Sequence, residues 1–374
     1  MAIIKAKKIE MSELFYDLVF VFAISKVTAL IHHLHDGILT PQVFITFLLA
    51  FIILINTWMV ETVYTNRYGK NSVVDISFMF LQMIFLLIAA NSITSEWQTT
   101  FKTFLLSFGS ISFILMLQYI YQFILSKNKI DKDITRPFIF ILAFRSFMLF
   151  VSVTLPLTLA TITASLGIII SWFLPSTITK RMQKNAINFA HLAERISLLV
   201  IITFGEMIIG ISSYFTQENF SITALLIFAI VINLFIFYIL KFEHVINHHL
   251  TNESGTKMIY THYLIFFGLS IITVSLSFIE DTHAKKLFAL LFLFSGLLLF
   301  YLGILLLKYY NKDYQKYTKK LFFQLTSIFL IGILCSLIFL NSSFLLFIIT
   351  TLTFLILLVY LNFIFKNKNS KNNS

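Results

Sequence analysis

The sequence predicts an all-α fold, a polytopic transmembrane bundle of about twelve spans with both termini in the cytoplasm. Composition is the first ground for this. Of 374 residues, 58% are hydrophobic and 12% charged, with a mean hydropathy of +0.89, whereas a soluble domain is nearer a quarter charged. The second is arrangement: apolar residues come in repeated runs of about twenty, each enough to cross a hydrocarbon core roughly 30 Å thick. The third is the placement of basic charge. Lys and Arg crowd into alternate loops, among them Lys7–Lys8, Arg67–Lys70, Lys127–Arg136, Lys180–Lys184 and Lys308–Lys320. The intervening loops hold only Lys102, Lys285 and Lys286. By the positive-inside rule this asymmetry sets the topology and supports an even number of spans. The net charge of +11 is therefore topological, and no nucleic-acid partner is expected.

The first span, roughly 13–31, resembles a signal peptide only in the lysines before it, because Glu13 and Asp17 break the apolar core that cleavage needs. Runs at roughly 42–63, 73–93 and 101–125 follow, each ended by polar loops. The fifth and sixth, roughly 138–154 and 157–175, are bounded by Pro137, Pro156 and Pro175, since proline punctuates helices; a single bent hairpin over 138–175 is the alternative. The seventh, roughly 191–214, carries Gly205 and Gly210, where a neighbouring helix could approach closely. Next come roughly 220–240 and 258–279. The last three, roughly 287–307, 321–340 and 343–365, have no Asp, Glu, Lys, Arg or His within them and read as lipid-facing or scaffold helices. A single integral membrane domain over 1–366 is expected, with a charged core in 13–279, apolar scaffold helices in 287–365 and a disordered polar tail at 367–374. The count also permits a 6+6 parallel repeat, since Glu13 and Glu194 both open a helix. The lone Cys335 excludes a disulfide framework.

Ionised groups at membrane depth are costly and usually face a protein interior or a wet path. Glu13 and Asp17, one turn apart, share a helix face. Glu13 is read as a solvated helix-start acid or a working group, and Asp17 as the deeper of the two. Lys26 lies on nearly the opposite face and should snorkel outward. Along the seventh span His191, Arg195 and Glu206 share a broad stripe, with Glu194 beside them. Arg195 and Glu206 are about 16 Å apart along the axis, so each needs a partner on another helix. Glu206 falls near the bilayer midplane. Arg145 in the fifth span is the natural partner for Glu206 or Asp17, because guanidinium keeps its charge in any pocket. Glu61, Asn66, Arg67, Asp75, Gln82 and His262 fall toward the same cytoplasmic side, either as one polar vestibule or as a belt of satisfied ion pairs. The ion- or proton-binding candidates are thus Asp17, Glu206, Glu13 and Glu61. Counter-charge candidates are Arg145, Arg195 and Arg67, with His191, Glu194, Asp75 and His262 in support. Histidine clusters at His32–Asp36 and Glu243–His249 match no metal-ligand pattern, so no metal or cofactor is expected.

These motifs point to a family. Glu13-Leu-Phe-Tyr-Asp-Leu-Val-Phe-Val-Phe-Ala23 resembles the opening motif of the bacterial low temperature requirement A family. Trp58, Asn66-Arg67-Tyr68, His191-Leu-Ala-Glu-Arg195, Phe204-Gly-Glu206 and Tyr260-Thr-His262 are similar to its later blocks, in the same order. One departure is Met207 after Glu206, where a small polar residue is expected. The resemblance implies a multi-pass protein of the bacterial cytoplasmic membrane, connected with growth in the cold. The Phe15–Ala23 segment also resembles, in part, the Phe-Ser-Asp-x-x-x-Ala first-helix motif of a bacterial and lysosomal potassium-channel family, with Tyr16 in place of the serine. The expectation is an ion- or proton-coupled transporter or channel-like protein, not an enzyme, with lipid and a small ion or solute as partners, and a homo-oligomer left open. An intramembrane lipid-active enzyme and a structural assembly factor are the alternatives.

Overall fold

The computed structural model describes residues 7–94, 97–315 and 317–372. Of the tail expected to be disordered at 367–374, residues 367–372 continue the last helix, and the final two lie outside the described residues. The described chain is all-helical. Twelve of its thirteen α-helices are long and apolar enough to span a membrane. In order they are α1 (Met11–Ala29), α2 (Pro41–Tyr68), α3 (Val73–Asn91), α4 (Trp97–Leu125), α5 (Lys129–Thr154), α6 (Leu157–Thr177), the short α7 (Thr179–Met182), α8 (Phe189–Ile211), α9 (Ile222–Ile239), α10 (Thr256–Glu280), α11 (Lys286–Leu306), α12 (Lys319–Ile338) and α13 (Ser343–Asn372).

Local chemistry sets the ends. The Thr40 hydroxyl accepts from Val43 N–H ahead of Pro41, whose missing donor costs nothing at a first turn. Ser72 and Asp75 form a reciprocal capping box at the start of α3, and Glu10 and Glu13 do the same for α1. The prolines behave differently from the expectation. Asn128 caps α5 through Ile130 N–H at 2.9 Å, so the helix starts nine residues before 138 and Pro137 lies inside it. The charged stretch 129–136 is helical, its charges having concealed the extension. Pro175 likewise falls within the end of α6, and only Pro156 marks a true break, as the N-cap of α6. The fifth and sixth spans are therefore two helices.

The chain folds into two compact units. The first comprises Met1–His33, Thr40–Leu199 and His248–Tyr260, the second Leu34–Leu39, Val200–Asn247 and Thr261–Ser374. In the first, α4 packs along α5 and α3, and α1 packs on α3 and α2. Small residues permit these approaches: a Cβ on Gly109 would lie 2.8 Å from the Phe150 ring. In the second, α10 and α11 meet at glycines. A Cβ on Gly268 would stand 2.7 Å from the Gly296 carbonyl oxygen. The spanning window of α11 is 67% buried, against 28% for α12. Thus α11 is a core helix of its unit, not a lipid-facing one; lack of charge does not separate a buried apolar helix from an exposed one. Tyr301 of α11 stacks on Phe329 of α12 with centroids 5.4 Å apart, and Asn233 of α9 donates to Thr351 O of α13. The end of α9 widens into a π-turn over Leu240–Val245, which buries Lys241 against Asn311 and the Tyr317 ring.

Candidate functional site

The first unit buries its acids and bases at one end, where α1, α3 and α8 begin and α2 finishes. Asp17 is fully buried. Its cation is Arg195, not Arg145 as the sequence suggested. The guanidinium donates side-on, Nη2 to Oδ1 at 3.0 Å and Nε to Oδ2 at 3.3 Å. Trp58 Nε1 donates to the same Oδ1 at 2.7 Å, and its ring lies 5.7 Å from the guanidinium carbon. Side-on geometry and cation–π contact are the features that favour arginine over lysine at such a place.

Glu13 is not a solvated helix-start acid. It stands at the third position of α1, as a capping residue should, and yet is only 1% exposed. One oxygen, Oε2, accepts from Glu10 N–H at 3.1 Å and lies 3.1 Å from His191 Nε2. The other, Oε1, makes no hydrogen bond and faces Arg195 Nη1, also without one, at 3.8 Å. Asn66 fixes the proton on His191. Its amide is pinned on backbone, accepting from Asn188 N–H at 2.8 Å and donating to Asn188 O at 3.0 Å. Asn66 Nδ2 therefore donates to His191 Nδ1 at 3.0 Å. With Nδ1 an acceptor, the network assigns the proton to Nε2, which donates to Glu13. In this tautomer His191 is neutral. Glu13 and Asp17 then share one guanidinium, and one negative charge is left over.

Glu61 makes a second network two turns before the end of α2. It is fully buried, and all its donors are neutral: Thr65 Oγ1 at 2.8 Å, Gln82 Nε2 at 3.2 Å and Gln118 Nε2 at 3.3 Å. Gln82 Oε1 accepts from Tyr16 O–H at 2.7 Å, and Gln82 also donates to Gln118. No cationic side chain lies within ion-pair distance of Glu61 among the described residues. Sequence reasoning named Glu61 and Gln82 but missed Tyr16 and Gln118. An amide amid the apolar residues of α4 was the available signal.

A cleft of about 130 Å³ opens at this end, lined by Lys7, Glu10, Ser12, Glu13, Thr65, Lys70 and Asp75 among others. Across its rim Asn71 joins Glu10 and Ser12 through its side-chain amide. Lys7 lays its ammonium on the last carbonyls of α2, at 3.0 Å from Gly69 O and 3.4 Å from Asn66 O, with Thr65 O as third acceptor. Burial lowers the Lys7 pKa from its ordinary value, against the opposing pull of Glu13.

The other candidates lie elsewhere. Arg145 donates to Ser112 Oγ at 2.8 Å and to Asn56 Oδ1. Arg67 holds backbone carbonyls, Asn185 O at 3.0 Å and Met182 O at 3.5 Å, so it fastens the segment after α6, and it forms no ion pair among the described residues. Asp75 is a helix cap, accepting from Ser72 and from Lys70 N–H. Glu194 is exposed and points away from the cluster. In the second unit, His262 is buried on α10 and meets Tyr238 O–H at 3.2 Å. Glu206, on the part of α8 belonging to that unit, is half-buried and has no hydrogen bond or ion pair among the described residues; a Cβ on the neighbouring Gly205 would meet nothing within 4 Å. Lys26 is half-exposed, its ammonium 5.5 Å from the Phe22 ring.

Twelve helices long and apolar enough to cross a membrane, with a buried, hydrogen-bonded cluster of acids and bases in the first unit, define a multi-pass membrane protein that keeps charge inside. Over residues 8–361 the chain matches the family described as bacterial low temperature requirement A protein (LtrA). It belongs to that family. No curated protein and no solved structure matches it.

Proposed function

We propose that this protein is an ion- or proton-coupled transporter or channel-like protein of the bacterial cytoplasmic membrane, in which the acids of the first unit take up and release a cation or proton. The observation that supports this reading is Glu61, a fully buried carboxylate with no cationic side chain within ion-pair distance among the described residues. Glu13 and Asp17 share Arg195, and Glu61 has only neutral donors. A buried carboxylate without a counter-charge must be compensated, by a proton or by a cation. Glu61 is the interior carrier on this reading, and Glu13 the exchanging group beside the cleft. With the orientation set by the loop lysines, that cleft faces the cytoplasm. A role in growth in the cold accords with the family's description.

One observation favours a second reading, a structural or assembly factor: the Asp17–Arg195 pair is fully buried and bidentate, the geometry of a clamp. The two are separated by measuring flux and stability in the same variants. Proteoliposomes with the purified chain are loaded with a pH dye or challenged with H⁺, Na⁺ or K⁺ gradients. Flux in the wild type that is lost in Glu61→Gln, with the thermal midpoint retained, supports transport. Absence of flux across that panel, with stability lost in the charge variants, overturns it in favour of the structural role.

A further inference from the structure

We infer that the cleft beside Glu13 is a binding site for a monovalent cation, and that the Lys7 ammonium occupies it as a tethered stand-in. The inference rests on reading the first unit as a cation-handling interior, and it names the ion class and the group that competes for the place. An ammonium with three donors sits on three carbonyl oxygens, Thr65 O, Asn66 O and Gly69 O. Oxygen atoms so arranged at a helix C-terminus, where the dipole is negative, are the ligands a bare alkali cation takes. The same cleft is lined by Glu10, Glu13 and Asp75.

Charge supplies the independent argument. Glu13 is buried and lines the cleft, yet Oε1 makes no hydrogen bond, and the cation it faces at 3.8 Å, Arg195, is held more closely by Asp17. Since His191 is held neutral by Asn66, the Glu13–Asp17–Arg195 group carries one net negative charge. Lys7 is the basic side chain lining the cleft whose ammonium is held there, and Glu13 is the strongest carboxylate influence upon it. A lysine that merely caps α2 needs only the carbonyls. A stand-in cation also needs the unbalanced acid, and its removal should leave a vacancy of defined charge. When Lys7 swings out, a free cation of similar size, such as K⁺ or Rb⁺, takes its place and reaches the acid at the head of the buried network.

The test uses the full chain in nanodiscs with Rb⁺ as probe, by equilibrium dialysis against choline at constant ionic strength. Lys7→Met keeps the stem and removes the charge. It is expected to bind one Rb⁺ at least tenfold more tightly than wild type, and Lys7→Met/Glu13→Gln is expected to lose that gain. Equal Rb⁺ binding by wild type and a folded Lys7→Met overturns the proposal, as does a gain that survives Glu13→Gln. The wild type offers a second measurement that needs no variant to fold. Rb⁺ should raise the acylation rate of Lys7 at least threefold, relative to choline and to the neighbouring Lys8, as read by mass spectrometry. An unchanged Lys7 rate also overturns it. Neither arm requires flux, so failure of transport through Glu61 would be seen separately.

Discussion

Removing Arg195 should hurt this protein more than removing the acid it binds most closely. Arg195→Met leaves two buried carboxylates, Asp17 and Glu13, without a cation. Breaking a buried pair by deleting one partner costs about 3–5 kcal/mol, because a charge is left uncompensated. Asp17→Asn leaves the guanidinium with Glu13 at 3.8 Å and the Trp58 face at 5.7 Å, so its cost should fall at about 1–3 kcal/mol. An unfolding entropy of about 2.1 cal/mol/K per residue over 374 residues amounts to about 0.8 kcal/mol/K. Arg195→Met should therefore lower the melting midpoint by about 4–6 °C, and Asp17→Asn by about 1–4 °C. The double variant should be less damaged than the two single losses combined, by at least about 1 kcal/mol, because neither residue then orphans the other. Thermal unfolding in one detergent, followed by circular dichroism and intrinsic fluorescence, measures all three. Equal or greater loss in Asp17→Asn, or strict additivity, would refute the shared-cation argument.

Three further outcomes follow from the packing and hydrogen bonds. Glu61→Gln should stay within about 1 kcal/mol of wild type by thermal unfolding, since relief from burying a charge offsets a weakened donor set, whereas Glu61→Leu orphans the Gln82 and Gln118 amides and should cost about 2 kcal/mol or more. Tyr16→Phe removes the donor to Gln82 Oε1 and should cost about 0.5–1.5 kcal/mol in the same assay, with a neutral result showing that this link is idle. In the second unit, Gly268→Ala would place a methyl 2.7 Å from the Gly296 carbonyl. Overpacking of that kind should destabilise by about 1–3 kcal/mol, and a midpoint unchanged from wild type would contradict the close α10–α11 approach.

The spans were legible because hydrocarbon imposes a harsh rule: every backbone group must be satisfied within a helix, over a length the bilayer fixes. Hydropathy misplaced ends most where charged or polar residues continue a helix: at Lys129–Arg136, whose cap residue Asn128 is a signal that apolar counting ignores, at the end of α2, which runs to Tyr68, and at the end of α13, which runs to Asn372. The site was half legible. Depth in an apolar run marked Asp17, which is buried, and Glu206, which is only half-buried; Glu61, His191 and Arg195, placed by sequence toward span ends, are buried as well. Pairing was not legible, because Arg195 and Asp17 stand 178 residues apart in the chain and nothing in either segment distinguishes Arg195 from Arg145 as the partner. Glu13 was misjudged for the same reason. Its burial comes from the start of α8 folding over it, and local position on α1 says only that it opens a helix. Lys7 was counted as topological charge, and its grip on the end of α2 has no local signature.

The cluster holds two kinds of acid, and the difference lies in what each would lose by changing its charge. Asp17 has a side-on guanidinium and an indole N–H, so a proton on it would break two strong contacts at once. Glu61 is surrounded by side-chain amides and a hydroxyl, groups that can rotate to present an acceptor in place of a donor at little cost. Glu13 lies between these cases, with one oxygen held by His191 and Glu10 and the other unbonded. A rigid clamp and adaptable acids are complementary if ions move through this unit, because Asp17–Arg195 can hold α1 to α8 while Glu13 and Glu61 change state. They are redundant if the unit only holds helices together, since a neutral amide at 61 would then keep the Thr65, Gln82 and Gln118 contacts as well. Glu61→Gln against Glu61→Leu therefore bears on function as well as stability. The transport reading requires that Glu61→Gln lose flux while keeping its fold.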